Sequence, residues 1–263
     1  MSDSPNENPF SGMPFFGDMA KAMSSQGPLQ WDVARQTAMM TALSGSSTEP
    51  NVDPAARVAL ERLAPIADLH VRTHTGLDTA SAGKSPNIVV VNRTMWVHHT
   101  LDSYKPLFTE LATSLSGSPI ISTEALDMPQ DDPMMNMMAS LNKMMAPAMM
   151  GMSVGTMVGQ LALKSFGQYD LPLPREPRDQ VLIVAANIDN FANDWSVALD
   201  DMRMWVLIYE LTSHAVLTST HIRSAIDSAV RSYIAGFSPN PNALMERLTN
   251  LDLGTSDPMS MMQ

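Results

Sequence analysis

The chain has 263 residues, of which 44% are hydrophobic, and this combination predicts a globular protein with a sizeable buried core. Its net charge of −11 and its pI near 4.8 argue against a protein that binds nucleic-acid backbones, because such proteins need clustered Lys and Arg. The chain contains no cysteine, so disulfides, thiol nucleophiles and cysteine-based zinc sites are excluded.

The two ends of the chain differ in composition from its middle. Residues 1–27 are rich in Pro, Gly, Ser and Asn and predict a mobile arm, whereas residues 28–251 predict one domain and 252–263 a mobile tail. The first residues lack a basic stretch followed by an apolar one, so no secretory signal is visible. We therefore expect a cytoplasmic protein.

Helices and one strand are predicted for the first half of the domain. An amphipathic helix is expected over 31–43. Asp53 and Pro54 suit the N-cap and first position of a second helix that runs to about His74. The β-branched run at 88–91 predicts a strand. A further helix is expected from about Thr94, with a break near Pro106.

Methionine is unusually frequent, with 24 in the chain, and many of them fall in two helices predicted over 134–146 and 148–166. We interpret these methionines as gap-filling core residues, and an adaptable contact surface is the alternative. Residues 144–163 carry no charge, so a membrane span is the alternative interpretation of this segment. Pro147 and several polar residues lower the hydropathy, so a membrane is not expected as a partner.

Three glycines recur at a spacing of four in this segment, namely Gly151, Gly155 and Gly159. In a helix, this spacing places the three glycines along one edge, and in a globular protein such a glycine edge lets a neighbouring helix approach closely. We therefore predict a buried helix with its glycines against another helix.

The remaining elements follow in order. They are a proline-rich loop at 169–177, a strand at 181–186, a turn or short helix at 187–194, a central helix at 199–216 capped near Asp200, a helix at 221–236 and a last helix at 242–251. No glycine-rich phosphate loop occurs. The predicted fold class is mainly α (α+β), with a small sheet beside the central helix.

The central helix carries the sequence Tyr209-Glu210-Leu211-Thr212-Ser213, followed by His214. In an H-E-x-x-H helix, the two His bind zinc and the Glu activates the metal-bound water. Here a phenol and a hydroxyl, from Tyr209 and Ser213, replace the two imidazoles. We interpret Glu210 as a vestigial general base in a degenerate motif.

The surroundings of this motif carry a family resemblance. Gly167-Gln-Tyr-Asp-Leu-Pro172 precedes a strand that leads to Asn187-Ile188, and Trp205 begins the motif segment. This pattern resembles an actinobacterial family of zincin-like proteins, labelled zinc-dependent metalloproteases or hydrolases, with a sister branch associated with deazaflavin-coenzyme biosynthesis. The resemblance is good over 150–230 and looser over 28–110.

The resemblance implies a zincin-like domain in which the motif helix lies beside a sheet whose edge strand faces the substrate. It makes Trp205 and His214 family-motif positions. It also suggests three residues as pocket candidates, namely Tyr169, Asp170 and Asn187.

The sequence leaves two functions open. The first is a catalytically degenerate homologue that binds an unknown protein or peptide and needs no cofactor. The second is an active hydrolase with an altered metal site, for which Glu210, His214 and His221 are the alternative zinc ligands. We favour the first, because Glu210 alone supplies no Lewis acid for metal-dependent hydrolysis.

Overall fold

The computed structural model describes residues 27–80, 85–116, 133–176 and 178–236. These ranges contain seven helices and two short strands, so the prediction of a mainly helical protein with a small sheet is confirmed. In chain order they are α1 (Trp31–Ala42), α2 (Pro54–Thr75), β1 (Asn87–Val90), α3 (Arg93–Ser116), α4 (Pro133–Ala162), β2 (Gln180–Ile183), α5 (Ala185–Asp194), α6 (Leu199–Thr218) and α7 (Thr220–Ala235). The predicted tail, the helix at 242–251 and all of the predicted arm except Gly27 lie outside the described residues.

The two strands form a parallel pair that separates two hydrophobic cores. Ile88 is the register partner of Val181, and Val90 is the partner of Ile183. Because side chains alternate along a strand, these four residues enter one core and Leu182 enters the other. Helices α2, α5 and α6 supply the first core, and helices α1, α3 and α4 supply the second.

Helix α2 begins as the sequence predicts. The backbone N–H of Ala55 donates to the Asp53 side chain at 3.0 Å, and Pro54 is the first helical residue. The helix ends at Gly76, which has a positive φ of 71°. Helix α6 differs from its prediction, because Ala198 occupies its N-cap position and Asp200 lies in the first turn.

The predicted helix breaks at Pro106 and Pro147 are wrong. Both prolines lie inside continuous helices, α3 and α4. A proline removes one backbone N–H donor, but Pro106 is exposed, so water can reach the carbonyl left without its partner. The carbonyl of Pro147 accepts a hydrogen bond from the N–H of Gln30 at 3.0 Å, which ties this point of α4 to the start of α1.

The glycine edge of α4 packs against α1, as predicted. A Cβ added to Gly155 would lie 2.4 Å from the carbonyl oxygen of Ala34, and one on Gly159 would lie 2.5 Å from the Thr41 side chain.

The interpretation of the methionines as core residues does not hold for Met145 and Met149, because both are exposed. Within the described ranges, no helix combines the length and the apolar composition that crossing a bilayer requires.

Candidate functional site

Glu210 lies on the buried face of α6 and has no exposed surface. Its carboxyl oxygens accept hydrogen bonds from the backbone N–H of Tyr169, at 3.2 and 3.0 Å. A Cβ on Gly167 would lie 2.4 Å from its Cδ atom, so the backbone of the 167–169 segment covers the group directly. The motif glutamate is therefore enclosed by protein.

The segment that covers Glu210 is itself fixed in place. Asp170 accepts hydrogen bonds from the N–H groups of Phe166 and Gly167, and the Trp96 indole N–H donates to the Gly167 carbonyl at 2.7 Å. Gly167 also forms an antiparallel bridge with Ile183, on β2. β1 pairs with one edge of β2, and this bridge lies at the other edge. The segment around Gly167 therefore covers that second edge at Ile183.

Burial sets the protonation of Glu210. Desolvation raises its pKa to about 8, and the negative charge of Asp170 adds to this, while the Tyr169 N–H acts in the opposite direction. Burial also raises the pKa of Asp170, against its two backbone hydrogen bonds. At neutral pH Glu210 is predominantly protonated, because burial outweighs the backbone hydrogen bonds and the positive charge of Arg175.

His214, one turn further along α6, is 2% exposed. Its Nδ1 atom lies 2.8 Å from the hydroxyl oxygen of Tyr169. Burial lowers the pKa of His214 and raises that of Tyr169, so both side chains are neutral near pH 7. The structure thus brings Tyr169 together with both Glu210 and His214, the first through its backbone and the second through its hydroxyl.

Tyr209 and Ser213, which the sequence predicts to stand in place of zinc-binding His, lie on a more open side of α6. Tyr209 is 38% exposed and stacks on Trp205, which is 55% exposed, with 5.6 Å between the ring centroids. Ser213 is half-buried and hydrogen-bonds to Tyr209. Burial and the nearby carboxyl groups of Asp170 and Glu210 raise the pKa of Tyr209.

The side chain of Asn187 forms hydrogen bonds that link three helices. Its side-chain N–H groups donate to the carbonyls of Ala162 and Ser165, at 2.9 and 2.6 Å, and its oxygen accepts from Arg93 at 2.7 Å. These bonds join the end of α4 to the starts of α3 and α5. All the polar atoms of its side chain are engaged in this way.

Two features of the site were missed by sequence reasoning. The first is Arg175, which is buried, donates to the Thr100 hydroxyl and the Gln168 carbonyl at 3.1 Å, and lies 5.0 Å from the centre of the Tyr104 ring. The second is a cavity of about 310 Å³ beside His214, at the junction of α6 and α7. No sequence pattern points to Arg175, because the proline-rich loop that carries it has no periodicity, and the cavity is lined by residues from separate segments.

The comparisons with known proteins agree with this architecture. The model of a family described as Zincin-like metallopeptidase matches residues 29–263, so the chain belongs to this family. A proposed hydrolase with a novel fold from Chloroflexus aurantiacus has a similar structure, with a TM-score of 0.55 at 17% sequence identity. The likeness covers 79% of this chain but only 59% of that one, and at this identity it concerns the fold alone. No curated protein matches the sequence.

The residues at the motif do not fit the zinc that the family name implies. Zinc in such a site needs three protein ligands that converge, most often His and carboxylates. Tyr209 and Ser213 supply oxygen atoms with poor affinity, and the carboxyl of Glu210 faces the Tyr169 N–H. His221 is exposed on α7, beyond the end of α6 at Thr218. Across the described part of the chain, no group of three His, Asp or Glu could hold a metal ion, so Glu210, His214 and His221 are not brought together as ligands.

Proposed function

We propose that this chain is a non-catalytic member of the zincin-like metallopeptidase family that acts by binding a protein or peptide partner. The observation that carries the proposal is the enclosure of Glu210 by Gly167 and the N–H of Tyr169. A general base must lie within hydrogen-bond reach of the water that it activates. A fully buried and predominantly protonated carboxyl does not meet that condition.

The covered edge of β2 supports the same conclusion. In the zincin arrangement expected from the sequence, a substrate peptide lies along the edge strand beside the motif helix. Here Gly167 is bridged to Ile183, and the Val184 N–H donates to the Phe166 carbonyl at 2.7 Å. A peptide in that position would have to displace the chain's own backbone.

The open side of α6 offers a different contact surface. Trp205 and Tyr209 form an exposed aromatic pair, and aromatic residues of this kind supply contact area at low conformational cost. We place this binding function in the cytoplasm, because a chain without cysteine suits a reducing compartment. The acidic composition fits a protein partner better than a nucleic acid.

Elemental analysis of the full-length protein tests the proposal. After equilibration with zinc and dialysis, we expect clearly substoichiometric metal and no cleavage of a mixed peptide library. Equimolar zinc that is lost in both Glu210→Ala and His214→Ala would overturn the proposal. So would peptide cleavage that a chelator and Glu210→Gln both abolish, because the chain would then be an active hydrolase with an altered metal site.

A further inference from the structure

Helix α2 presents two histidines on its exposed side, close to its C-terminal end. His70 and His74 are four positions apart, so they lie one above the other on the same face of the helix. Their imidazole rings are nearly parallel, with an interplanar angle of 7° and 5.8 Å between the ring centroids. Both residues are exposed. A ligand from solvent can therefore reach both rings at once.

The fold does not use the ring nitrogens of this pair. Neither ring forms a hydrogen bond or an ion pair with any residue that the structure describes. His98 differs, because its Nδ1 atom lies 3.1 Å from a carboxylate oxygen of Asp102. The lone pairs of His70 and His74 are thus available to an electron-pair acceptor, which for two neighbouring imidazoles is a metal ion.

The charges around the pair favour a cation. Arg72 lies between the two histidines in sequence, but residues two positions apart do not share a face of a helix. Its guanidinium is also held elsewhere, since it donates to Asp68 and to Ser85, each at 2.7 Å. Helix α2 ends at Thr75, and the carbonyl groups of its last turn carry partial negative charge. A metal ion at the pair would lie at this favourable end of the helix.

The number and type of the ligands select among metal ions. Two imidazoles at positions i and i+4 of a helix can bind one ion, and rotation about the bonds of exposed side chains can bring both rings to it. Zinc sites use three or four protein ligands. In the described ranges, no third His or carboxylate completes such a group. Among the divalent first-row ions, Cu²⁺ has the highest affinity for nitrogen ligands, and it accepts a tetragonal geometry.

From this arrangement we propose that His70 and His74 chelate one Cu²⁺ ion on the surface of α2, with water in the remaining coordination positions. The inference goes beyond the proposed binding function, because the pair uses no residue of the motif helix α6.

Copper titration of the untagged, full-length protein tests this inference. Glycine serves as the competing ligand that sets the free Cu²⁺ concentration, and electron paramagnetic resonance reports the nitrogen ligands of the bound ion. We expect one Cu²⁺ per chain with imidazole coordination, bound more tightly than Zn²⁺. His70→Asn and His74→Asn should each weaken binding at least about tenfold, because the second imidazole of a chelate binds intramolecularly.

His98→Asn is the matched control. His98 is an exposed histidine of α3, and its neighbour His99 is adjacent in sequence, so these two rings do not share a face of the helix. This variant should bind Cu²⁺ as the wild type does. Urea unfolding gives a second readout, because Cu²⁺ should raise the midpoint of the wild type and of His98→Asn more than that of either α2 variant.

Several results would overturn the inference. They are equal Cu²⁺ binding by the wild type and both α2 variants, a loss in only one of these variants, a loss in His98→Asn, and tighter binding of Zn²⁺ than of Cu²⁺. Zinc-dependent peptide cleavage would instead overturn the proposed function and leave the copper result untouched.

Discussion

Gly167 lies directly against the carboxyl group of Glu210. A Cβ on Gly167 would stand 2.4 Å from Cδ and 2.6 Å from Oε1 of that residue. The absence of a side chain at position 167 is therefore what allows the loop to close over the motif glutamate. This contact couples a glycine outside helix α6 to the glutamate at position 210 of that helix.

Gly167→Ala should destabilise the protein by about 1–3 kcal/mol, because the buried Glu210 carboxyl would have to shift away from the Tyr169 N–H that donates to it. Urea unfolding measures the change. Gly236→Ala is the matched control, since a Cβ there would meet neighbours only at 3.5 and 3.8 Å, which is ordinary contact. Unchanged stability of Gly167→Ala would show that the loop does not press on Glu210.

The stability of the protein should depend on pH through Glu210. Its pKa is raised from 4.5 to about 8 by burial, so between these values the folded protein holds a proton that the unfolded chain has released. The free energy of unfolding should therefore fall as the pH rises through this window, by at most about 1.4 kcal/mol per pH unit. Glu210→Gln keeps a neutral group of the same shape and should remove this slope.

Above pH 6.5, the contribution of Glu210 to stability can be separated from that of His214. The pKa of His214 is lowered by burial from 6.5, so its contribution makes stability rise with pH only below that value. The raised pKa of Asp170 acts in the same direction as that of Glu210. Urea unfolding at close pH intervals, with the wild type and Glu210→Gln side by side, gives the difference. Parallel curves for the two proteins between pH 6.5 and 8 would contradict the prediction.

Histidines placed at positions 209 and 213 should create zinc binding without catalysis. Tyr209→His with Ser213→His places two imidazoles one turn apart on the more open side of α6. Calorimetry should detect zinc binding in the double variant and much weaker binding in Ser213→His alone. Peptide cleavage by the double variant is not expected, because Glu210 stays enclosed. Cleavage would contradict that enclosure, and a folded double variant without zinc affinity would show that the two positions do not present their side chains to one ion.

The contact between α4 and α1 should tolerate no side chain at its centre. Gly155→Leu should cost at least about 1–3 kcal/mol, because even a Cβ would stand 2.4 Å from the Ala34 carbonyl oxygen. Thermal or urea unfolding measures the loss. Ser153→Leu, at an exposed position of the same helix, should stay within about 0.5 kcal/mol of the wild type. Similar losses in both variants would mean that general helix effects, and not the close approach, cause the change.

The sequence features that depend on short segments predicted the corresponding parts of the fold. The cap at Asp53, the strand at 88–91 and the glycine spacing in α4 each depend on a few neighbouring residues, and the structure retains all three. The prediction of helix breaks at Pro106 and Pro147 was wrong, because packing of the surrounding helix outweighs one lost hydrogen bond. The strand predicted over 181–186 ends at Ile183, since α5 already begins at Ala185.

The site was accessible to sequence reasoning only in part. The residues of the motif and of the Gly-Gln-Tyr-Asp segment were identified, but their mutual arrangement was not. The hydrogen bond from the Tyr169 N–H to Glu210 joins positions 41 residues apart, and that between the Tyr169 hydroxyl and His214 joins positions 45 apart. No local pattern encodes such pairs, and the cavity next to His214 depends on the relative placement of several elements.

The close contact of α1 with α4 also has a consequence for how the chain folds. Ala34 and Gly155 are separated by roughly 120 positions, and contacts between distant segments form slowly because a long loop must close first. During synthesis, α1 therefore leaves the ribosome long before its partner exists. The fully buried residues of α1 are Ala34, Ala38 and Ala42, whose small side chains offer little apolar surface for premature association while α4 is still missing.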